Sequence, residues 1–361
     1  MRPPRARHPQ RRRRGLARGA VSTAPRRPRS ASPVSSPSSR PESTNVNDLS
    51  SYAGRRILVT GAAGFIGSAL VPRLLQAGAT VVGIDIRQGY EGPGYEHRLG
   101  DAANLTAAEL AEVRPDMVVH LASVVGVVAA ASDPAATRRA ILGMTTQFVD
   151  LVESLSGVRF VYVSSSEVYG QSTAFPLVEK SPLAPLSAYG QAKRDAEELV
   201  SARTAAGRLD GIVVRPFNVY GPGQRTDFVV TRFVEQALSG DDLTVVDSGD
   251  QLRTFTYVDD FVEGLLRAAA HDGDERLFNI SGHETWTIGA LASAVVDLAG
   301  SASSIVSTEP ADLGRPREIE VENRVASCGR ARRVLGYQPR VGVLQGIGHC
   351  IDAAAEASVR S

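Results

Sequence analysis

The 361 residues are 43% hydrophobic and 22% charged, the composition of a globular chain long enough for one large α/β domain and a smaller second one. Twelve arginines and no acid fall within residues 1–41, so the net charge of +1 divides into +12 on a basic tail and −11 on the body, which excludes a nucleic-acid footprint on the body. Two cysteines without metal-ligand spacing, Cys328 and Cys350, exclude a disulfide scaffold, suggest no metal and suit the reducing cytoplasm, and no apolar run reaches the ~18 residues of a membrane span.

Residues 1–53, rich in Arg, Pro and Ser and without apolar periodicity, read as a disordered basic extension. A transit peptide and a nucleic-acid arm compete with a dispensable or misassigned extension. The prolines and the missing apolar face favour the last. From residue 54 the texture changes. Arg56–Thr60 is a branched apolar run that predicts a buried strand, Phe65–Gln76 has helical spacing, and Thr80–Asp85 and Met117–Ala122 predict further strands. A helix over Ala135–Ser154, a strand over Arg159–Ser165, a helix over Ser187–Ala202 and a strand over Gly211–Pro216 continue the alternation. That pattern predicts an α/β fold, a Rossmann doubly wound parallel sheet, over 54–220. Beyond about Gly221 the alternation stops. A helix near Phe228–Leu238 and a short run at Leu243–Val246 belong to a smaller mixed domain, expected over 221–252 and 281–355. The stretch 253–280, with runs at Arg253–Leu266 and Leu277–Ile280, is expected to rejoin the main sheet.

The first strand runs into Gly61-Ala-Ala-Gly64-Phe-Ile-Gly67, which opens a helix. Glycine at 61 permits a tight turn, at 64 a close approach of a pyrophosphate, and at 67 close helix–strand packing, while the helix start offers N–H groups and a positive dipole end to phosphate. Asp85, ending the second strand, is placed to accept hydrogen bonds from an adenosine ribose and to repel a 2′-phosphate, favouring NAD over NADP. Arg87 blurs that preference. Asp101, after Gly100, could meet the adenine amino group or simply end a turn.

Tyr189 and Lys193 are four apart on a predicted helix and share a face. A phenol near its free pKa of about 10 is a weak base at neutral pH. An ammonium one turn away and the nearby helix start both favour the phenolate, so the pair can remove a hydroxyl proton while hydride leaves the same carbon for NAD. Ser164-Ser165-Ser166-Glu167-Val168-Tyr169-Gly170 stands at the end of a predicted parallel strand, the edge where open α/β sheets bind ligands.

These motifs, together with His120-Leu-Ala-Ser123 and Arg215-Pro-Phe-Asn218-Val-Tyr-Gly-Pro222, occur in the order that resembles the extended short-chain dehydrogenase/reductases. More narrowly, residues 55–350 resemble the NAD-dependent nucleotide-sugar epimerases and dehydratases. The resemblance implies catalytic roles for Ser165, Tyr189 and Lys193, with Lys193 also on the nicotinamide ribose. It adds Phe65, Ile66, Leu121 and Ala122 to the cofactor-binding set. It puts Ser165, Ser166, Asn218 and Arg253 on the substrate, the last two at its diphosphate, and sets the backbone of Leu243–Val245 against the nucleotide base. It also implies a homodimer formed through two helices per subunit, 135–155 and 187–202. Two positions depart from the pattern: Ala140-Ile-Leu-Gly143-Met144 replaces an Asn-x-x-Gly-Thr pattern, and Ser327 stands where an Asp is usual.

Glu167 bears on the reaction. Ser, Tyr, Lys and NAD suffice for a 4-epimerase of the UDP-hexose type, whereas a glutamate here is typical of 4,6- or 5,6-dehydratases, where it could take the C5 proton, and of UDP-glucuronate decarboxylases. Ser166 replaces the Asp that serves dTDP-glucose dehydratases as acid, and the loop Phe175–Pro185 does not resemble the decarboxylase pattern. The expected substrate is a UDP- or dTDP-hexose, with epimerisation first, dehydration next and decarboxylation third. A redox-inactive NAD-binding regulator and a reductase using exchangeable NADPH are the remaining alternatives.

Overall fold

The branched run Arg56–Thr60 forms strand β1 in the computed structural model, which describes residues 49–123, 133–314 and 316–360. In chain order follow α1 (Phe65–Gln76), β2 (Thr80–Asp85), β3 (Tyr95–Leu99), α2 (Ala107–Val113), β4 (Met117–His120), α3 (Pro134–Arg138), α4 (Met144–Glu153), β5 (Arg159–Val163), α5 (Ala188–Ala205), β6 (Asp210–Pro216) and β7 (Val219–Tyr220). Then come α6 (Val229–Ser239), β8 (Leu243–Val246), β9 (Leu252–Thr254), β10 (Thr256–Tyr257), α7 (Val258–Ala269), β11 (Leu277–Ile280), β12 (Thr285–Thr287), α8 (Ile288–Ala299), β13 (Ile305–Thr308), α9 (Gly329–Leu335) and α10 (Val343–Arg360).

Seven strands form one sheet in the order β11-β6-β5-β4-β1-β2-β3, every neighbour parallel. The strand order reverses between β1 and β4, the point at which open α/β sheets leave a crevice at their carboxyl edge. Alternate residues sort to the two faces. Ile57, Val59, Val119, Val161 and Ile212 pack with Leu70 and Leu74 of α1 and Phe261 and Leu265 of α7. Leu58, Val82, Val118, Phe160 and Val213 pack with Leu110 of α2, Phe148 and Val152 of α4, and Val200 of α5. Burial on both faces is why these strands read as continuous apolar runs.

The predicted helix over 135–154 is continuous but not uniform: a π-helical turn at Arg139–Gly143 joins α3 to α4. The hydroxyls of Thr145 and Thr146 donate to the carbonyls of Ile141 and Leu142, at 2.8 and 2.7 Å, taking up acceptors in the widened turn. The turn falls on the Ala140–Gly143 departure noted above.

The remaining strands make three two-stranded pairs, β7 with β10, β8 with β13 and β9 with β12. With α6, α8 and α10 they enclose a second core around Phe233, Val245, Phe255, Leu291 and Ile347. Two expectations are revised. Leu277–Ile280 enters the main sheet, but Arg253–Leu266 does not: Arg253–Tyr257 pairs elsewhere, and 258–269 is an amphipathic helix laid on the sheet face. The ordered body also begins earlier than residue 54. Tyr52 is buried in the core, where its hydroxyl donates to the Leu266 carbonyl at 2.5 Å. Residues 1–48 of the basic extension lie outside the described residues. No helix among the described residues is long and apolar enough to cross a membrane.

Candidate active site

The turn after β1 is built as its glycines require. Gly61 has φ +72°, and a Cβ there would come within 2.9 Å of the Ala122 nitrogen, so the turn lies directly against the segment after β4. A Cβ on Gly67 would collide with the carbonyl oxygens of Gly61 and Ala62. Gly64 caps α1 without a side-chain acceptor, and the first-turn amides, including those of Phe65 and Ile66, have no intrahelical partner. The side chain of Phe65 packs into the second core and that of Ile66 into the first, which leaves their backbones to the crevice.

Asp85 is 8% exposed, and its carboxylate accepts from the amides of Ala63 and Arg87, both at 3.0 Å. It therefore braces the glycine turn. Arg87 reaches back to the Ala63 carbonyl at 2.8 Å and stays exposed. Asp101 caps a short 3-10 helix by accepting from Ala103 N, an arrangement that serves the turn. Leu121 and Ala122 both donate to Thr60, through its carbonyl oxygen and its Oγ1 respectively. Thr60 Oγ1 in turn lies 2.9 Å from Nδ1 of His120, a neutral imidazole whose pKa burial, with Lys193 adding to it, lowers to about 3. The contact between Thr60 and His120 was not foreseen in the sequence, where Thr60 read as a strand end and His120 as part of the His120–Ser123 motif. These residues fit a dinucleotide: a side-chain-free cradle, an uncapped helix start and a carboxylate at the end of β2.

Beyond this cradle β5 ends at Val163, and the chain passes through Ser164-Ser165 into a 3-10 helix over Ser166–Tyr169. Ser165 Oγ accepts from Glu167 N at 3.1 Å, and its hydroxyl is near enough to the Tyr189 phenol to act on its pKa. Helix α5 is capped by Ser187, whose Oγ accepts from Gly190 N at 3.0 Å, and this fixes Tyr189 in the first turn. Lys193, 3% exposed, donates from Nζ to the Val163 carbonyl at 3.0 Å. The same Nζ lies 5.0 Å from the Tyr162 ring centroid and 5.9 Å from that of Tyr189. Ser165, Tyr189 and Lys193 are thus brought together at the carboxyl edge.

The electrostatics differ from the expectation of a phenol acidified by its lysine. Burial pushes the Tyr189 phenol up to about 12, with Glu167 adding to it, while the nearby Ser165 hydroxyl and the Arg324 charge oppose it. Burial also brings Lys193 down to about 7, against the pull of Glu197. Dehydration of the site outweighs the pairwise help visible in the sequence.

Glu167 does not stand alone. Its Oε1 accepts from Nη1 of Arg324 at 2.7 Å, and the arginine side chain is 7% exposed. Arg324 arrives on a strap, Val321–Ala326, threaded between β9 and the segment near Leu177: Arg324 N donates to Leu252 O, Thr254 N to Arg324 O, and Leu177 N to Val325 O. The guanidinium of Arg253 donates to the carbonyls of Val321 and Glu322 at 2.6 and 2.8 Å, so it secures the strap. Asn218, at φ +39°, donates from Nδ2 to Thr254 O at 2.9 Å. Ser166 is buried beneath the turn. The diphosphate positions expected at Asn218 and Arg253 therefore converge on β9 and its strap, and the residue they bring into the site is Arg324, for which nothing in its sequence surroundings gave a signal.

A parallel Rossmann sheet with Ser, Tyr and Lys gathered beside a dinucleotide cradle defines an oxidoreductase-type site of the extended short-chain class. Residues 57–281 match the NAD dependent epimerase/dehydratase family, and the chain belongs to it. It is 34% identical over 314 residues to a UDP-glucose 4-epimerase of Mycolicibacterium smegmatis, covering 82% of this chain and 97% of that protein. It is 32% identical to UDP-glucuronic acid decarboxylase 2 of Arabidopsis thaliana, covering 81% of this chain and 67% of that one. Among solved structures, the UDP-glucuronic acid 4-epimerase of Bacillus cereus, in complex with UDP-glucuronic acid and NAD, superposes with a TM-score of 0.76 at 28% identity, over 84% of this chain and 99% of that one.

Proposed function

We propose that this protein is an NAD-dependent nucleotide-sugar 4-epimerase acting on a UDP-hexose or UDP-hexuronate. The reading is carried by the gathering of Ser165, Tyr189 and Lys193 at the carboxyl edge, with Lys193 Nζ 5.9 Å from the Tyr189 ring centroid, beside the glycine turn that fits a dinucleotide. The glycine turn after β1 and Asp85 would hold NAD, which would supply reversible hydride exchange at C4 and a positive charge favouring the phenolate that burial here disfavours. Tyr189 accepts the C4 hydroxyl proton as the carbon is oxidised and gives it back on reduction. Ser165 donates its one proton toward the phenolate oxygen and so favours the form that accepts the C4 proton, while Lys193 supplies positive charge behind both. Inversion requires the keto sugar to present its other face before reduction, so no net redox change occurs.

A second reading, decarboxylation of a UDP-hexuronate, is favoured by one observation. Arg324 pairs with Glu167 in the site, and its buried Nε has no hydrogen-bond partner. A guanidinium with an unused donor suits a sugar carboxylate, whether that group is merely held during epimerisation or lost after oxidation. The decarboxylases among the relatives support the same substrate class.

Incubation with UDP-glucose and UDP-glucuronate, followed by mass spectrometry, separates the readings. An isomer of unchanged mass supports epimerisation, loss of carbon dioxide supports decarboxylation, and loss of water supports a dehydratase. No product from either sugar, with NAD bound, would turn the assignment toward a redox-inactive regulator. We further propose a cytoplasmic homodimer formed through the helices near 135–155 and 187–202. Two free, buried cysteines suit that compartment, and light scattering tests the assembly.

A further inference from the structure

We propose that Glu197, Arg215 and Tyr169 act as a positioning unit for the reaction, holding helix α5 against the Ser165–Tyr169 turn. The inference rests on the epimerase-type reading of the site and names residues that reading does not use.

Arg215, on β6, is 3% exposed, and Glu197, one turn beyond Lys193 on α5, is 4% exposed. The guanidinium grips the carboxylate through Nε to Oε1 at 2.9 Å and Nη2 to Oε2 at 2.6 Å. Its Nη1 donates to the Tyr169 hydroxyl at 2.8 Å and to the Glu179 carbonyl at 3.3 Å, and its Cζ lies 4.8 Å from the Tyr169 ring centroid. Tyr169 passes its own proton to Asn279 Oδ1 on β11 at 2.7 Å. The backbone N of Asn279 donates to Glu179 Oε1 at 3.0 Å.

The network joins the helix that carries Tyr189 and Lys193 to the turn that carries Ser165 and Glu167. At the other end of the same contact, a Cβ on Gly190 would stand 2.8 Å from the Glu167 carbonyl oxygen, so helix and turn already touch there. Lys193 lies between a steric stop at Gly190 and an ionic clamp at Glu197–Arg215, and Tyr189 adjoins the stop. Stability alone does not account for the clamp, because well-packed apolar residues usually serve a buried site as well as an ion pair does. A fork of fixed geometry does define a distance, and reacting groups tolerate only about 0.5 Å of drift.

Glu197→Gln leaves Arg215 unpaired in the core and risks misfolding, so Tyr169→Phe is the informative change: it keeps the ring over the guanidinium and removes one bridging hydroxyl. In the full-length holoprotein, kcat is expected to fall about tenfold, with KM and bound NAD within about twofold of the parent. A crystal structure of the variant, set beside one of the parent, is expected to show the Tyr189 hydroxyl displaced from Ser165 Oγ. Unchanged kcat with a lowered melting temperature would mean a purely structural role and would overturn the proposal. If the parent itself turns over no UDP-sugar, the functional reading fails. The crystallographic comparison then decides alone: an unmoved Ser165–Tyr189 pair overturns the positioning unit, and a displaced one supports it.

Discussion

Glu167 and Arg324, 157 positions apart in sequence, meet at 2.7 Å inside the site. The carboxylate that the family resemblance tied to dehydratases and decarboxylases is therefore already held by a buried guanidinium. Replacing Arg324 with Met removes the partner and, on the proposed substrate class, a carboxylate-binding group. The kcat/KM for UDP-glucuronate is expected to fall at least about 30-fold, and that for UDP-glucose by about threefold, in line with a charged hydrogen bond of roughly 1.5–3 kcal/mol. Equal losses on the two sugars would show that Arg324 supports Glu167 without touching substrate.

Tyr189→Phe deletes the proposed proton acceptor without changing the ring. Turnover is expected to fall by ~10² or more while NAD remains bound, measured as product formed per mole of cofactor-loaded protein. Retained turnover would remove Tyr189 from the mechanism.

Ser165→Ala acts on the same phenol from the other side. The nearby Ser165 hydroxyl is the larger of the two influences opposing the burial that pushes Tyr189 up to about 12. Without it the phenol holds its proton more tightly, so at any given pH less phenolate is present. The alkaline-rising limb of the kcat profile should move to higher pH in the variant, with the deficit largest near neutrality. A limb that stays in place would show that Tyr189 does not set it.

The parts of the site carried on single short segments were legible in the sequence. Gly61–Gly67 and Tyr189/Lys193 are spacing signals whose geometry follows from one turn or one helix. Arg324 was not legible, because it reaches Glu167 only through a strap that pairs with β9 and with Leu177. Arg253–Leu266 misled because its first residues carry strand-like alternation, while Phe261, Val262 and Leu265 form a helix stripe that needs the sheet face to give it meaning. Tyr52 was lost in a polar stretch, where a single aromatic gives no period. The raised phenol and lowered lysine express burial, which four-residue spacing does not report.

Gly67→Ala tests the cradle. Its Cβ would land on the backbone oxygens of Gly61 and Ala62, which are fixed by the turn and by β1, so α1 must move away from the strand. The variant is expected to lose roughly 1–3 kcal/mol of stability and most of its affinity for NAD, read by thermal melting and by titration with the dinucleotide. Parent-like NAD affinity would mean that the cofactor does not lie on this turn.

Lys193 provides a test by stability. Burial brings its ammonium from the usual 10.5 to about 7, and the groups facing it are Glu197 and Tyr189 on its own helix, Tyr162 on β5 and His120 on β4. Because the folded pKa lies below the unfolded one, the unfolded chain holds the extra proton between pH 7 and 10.5, so this residue's contribution to stability rises with pH across that window. Below pH 7 the folded protein bears the full cost of a buried cation. Lys193→Met should therefore melt at least about 3 °C above the parent at pH 6.5, both proteins freed of dinucleotide, and the gap should narrow toward pH 10. The same variant should be inactive. A melting difference that does not change with pH would show that the lysine is not held at a lowered pKa.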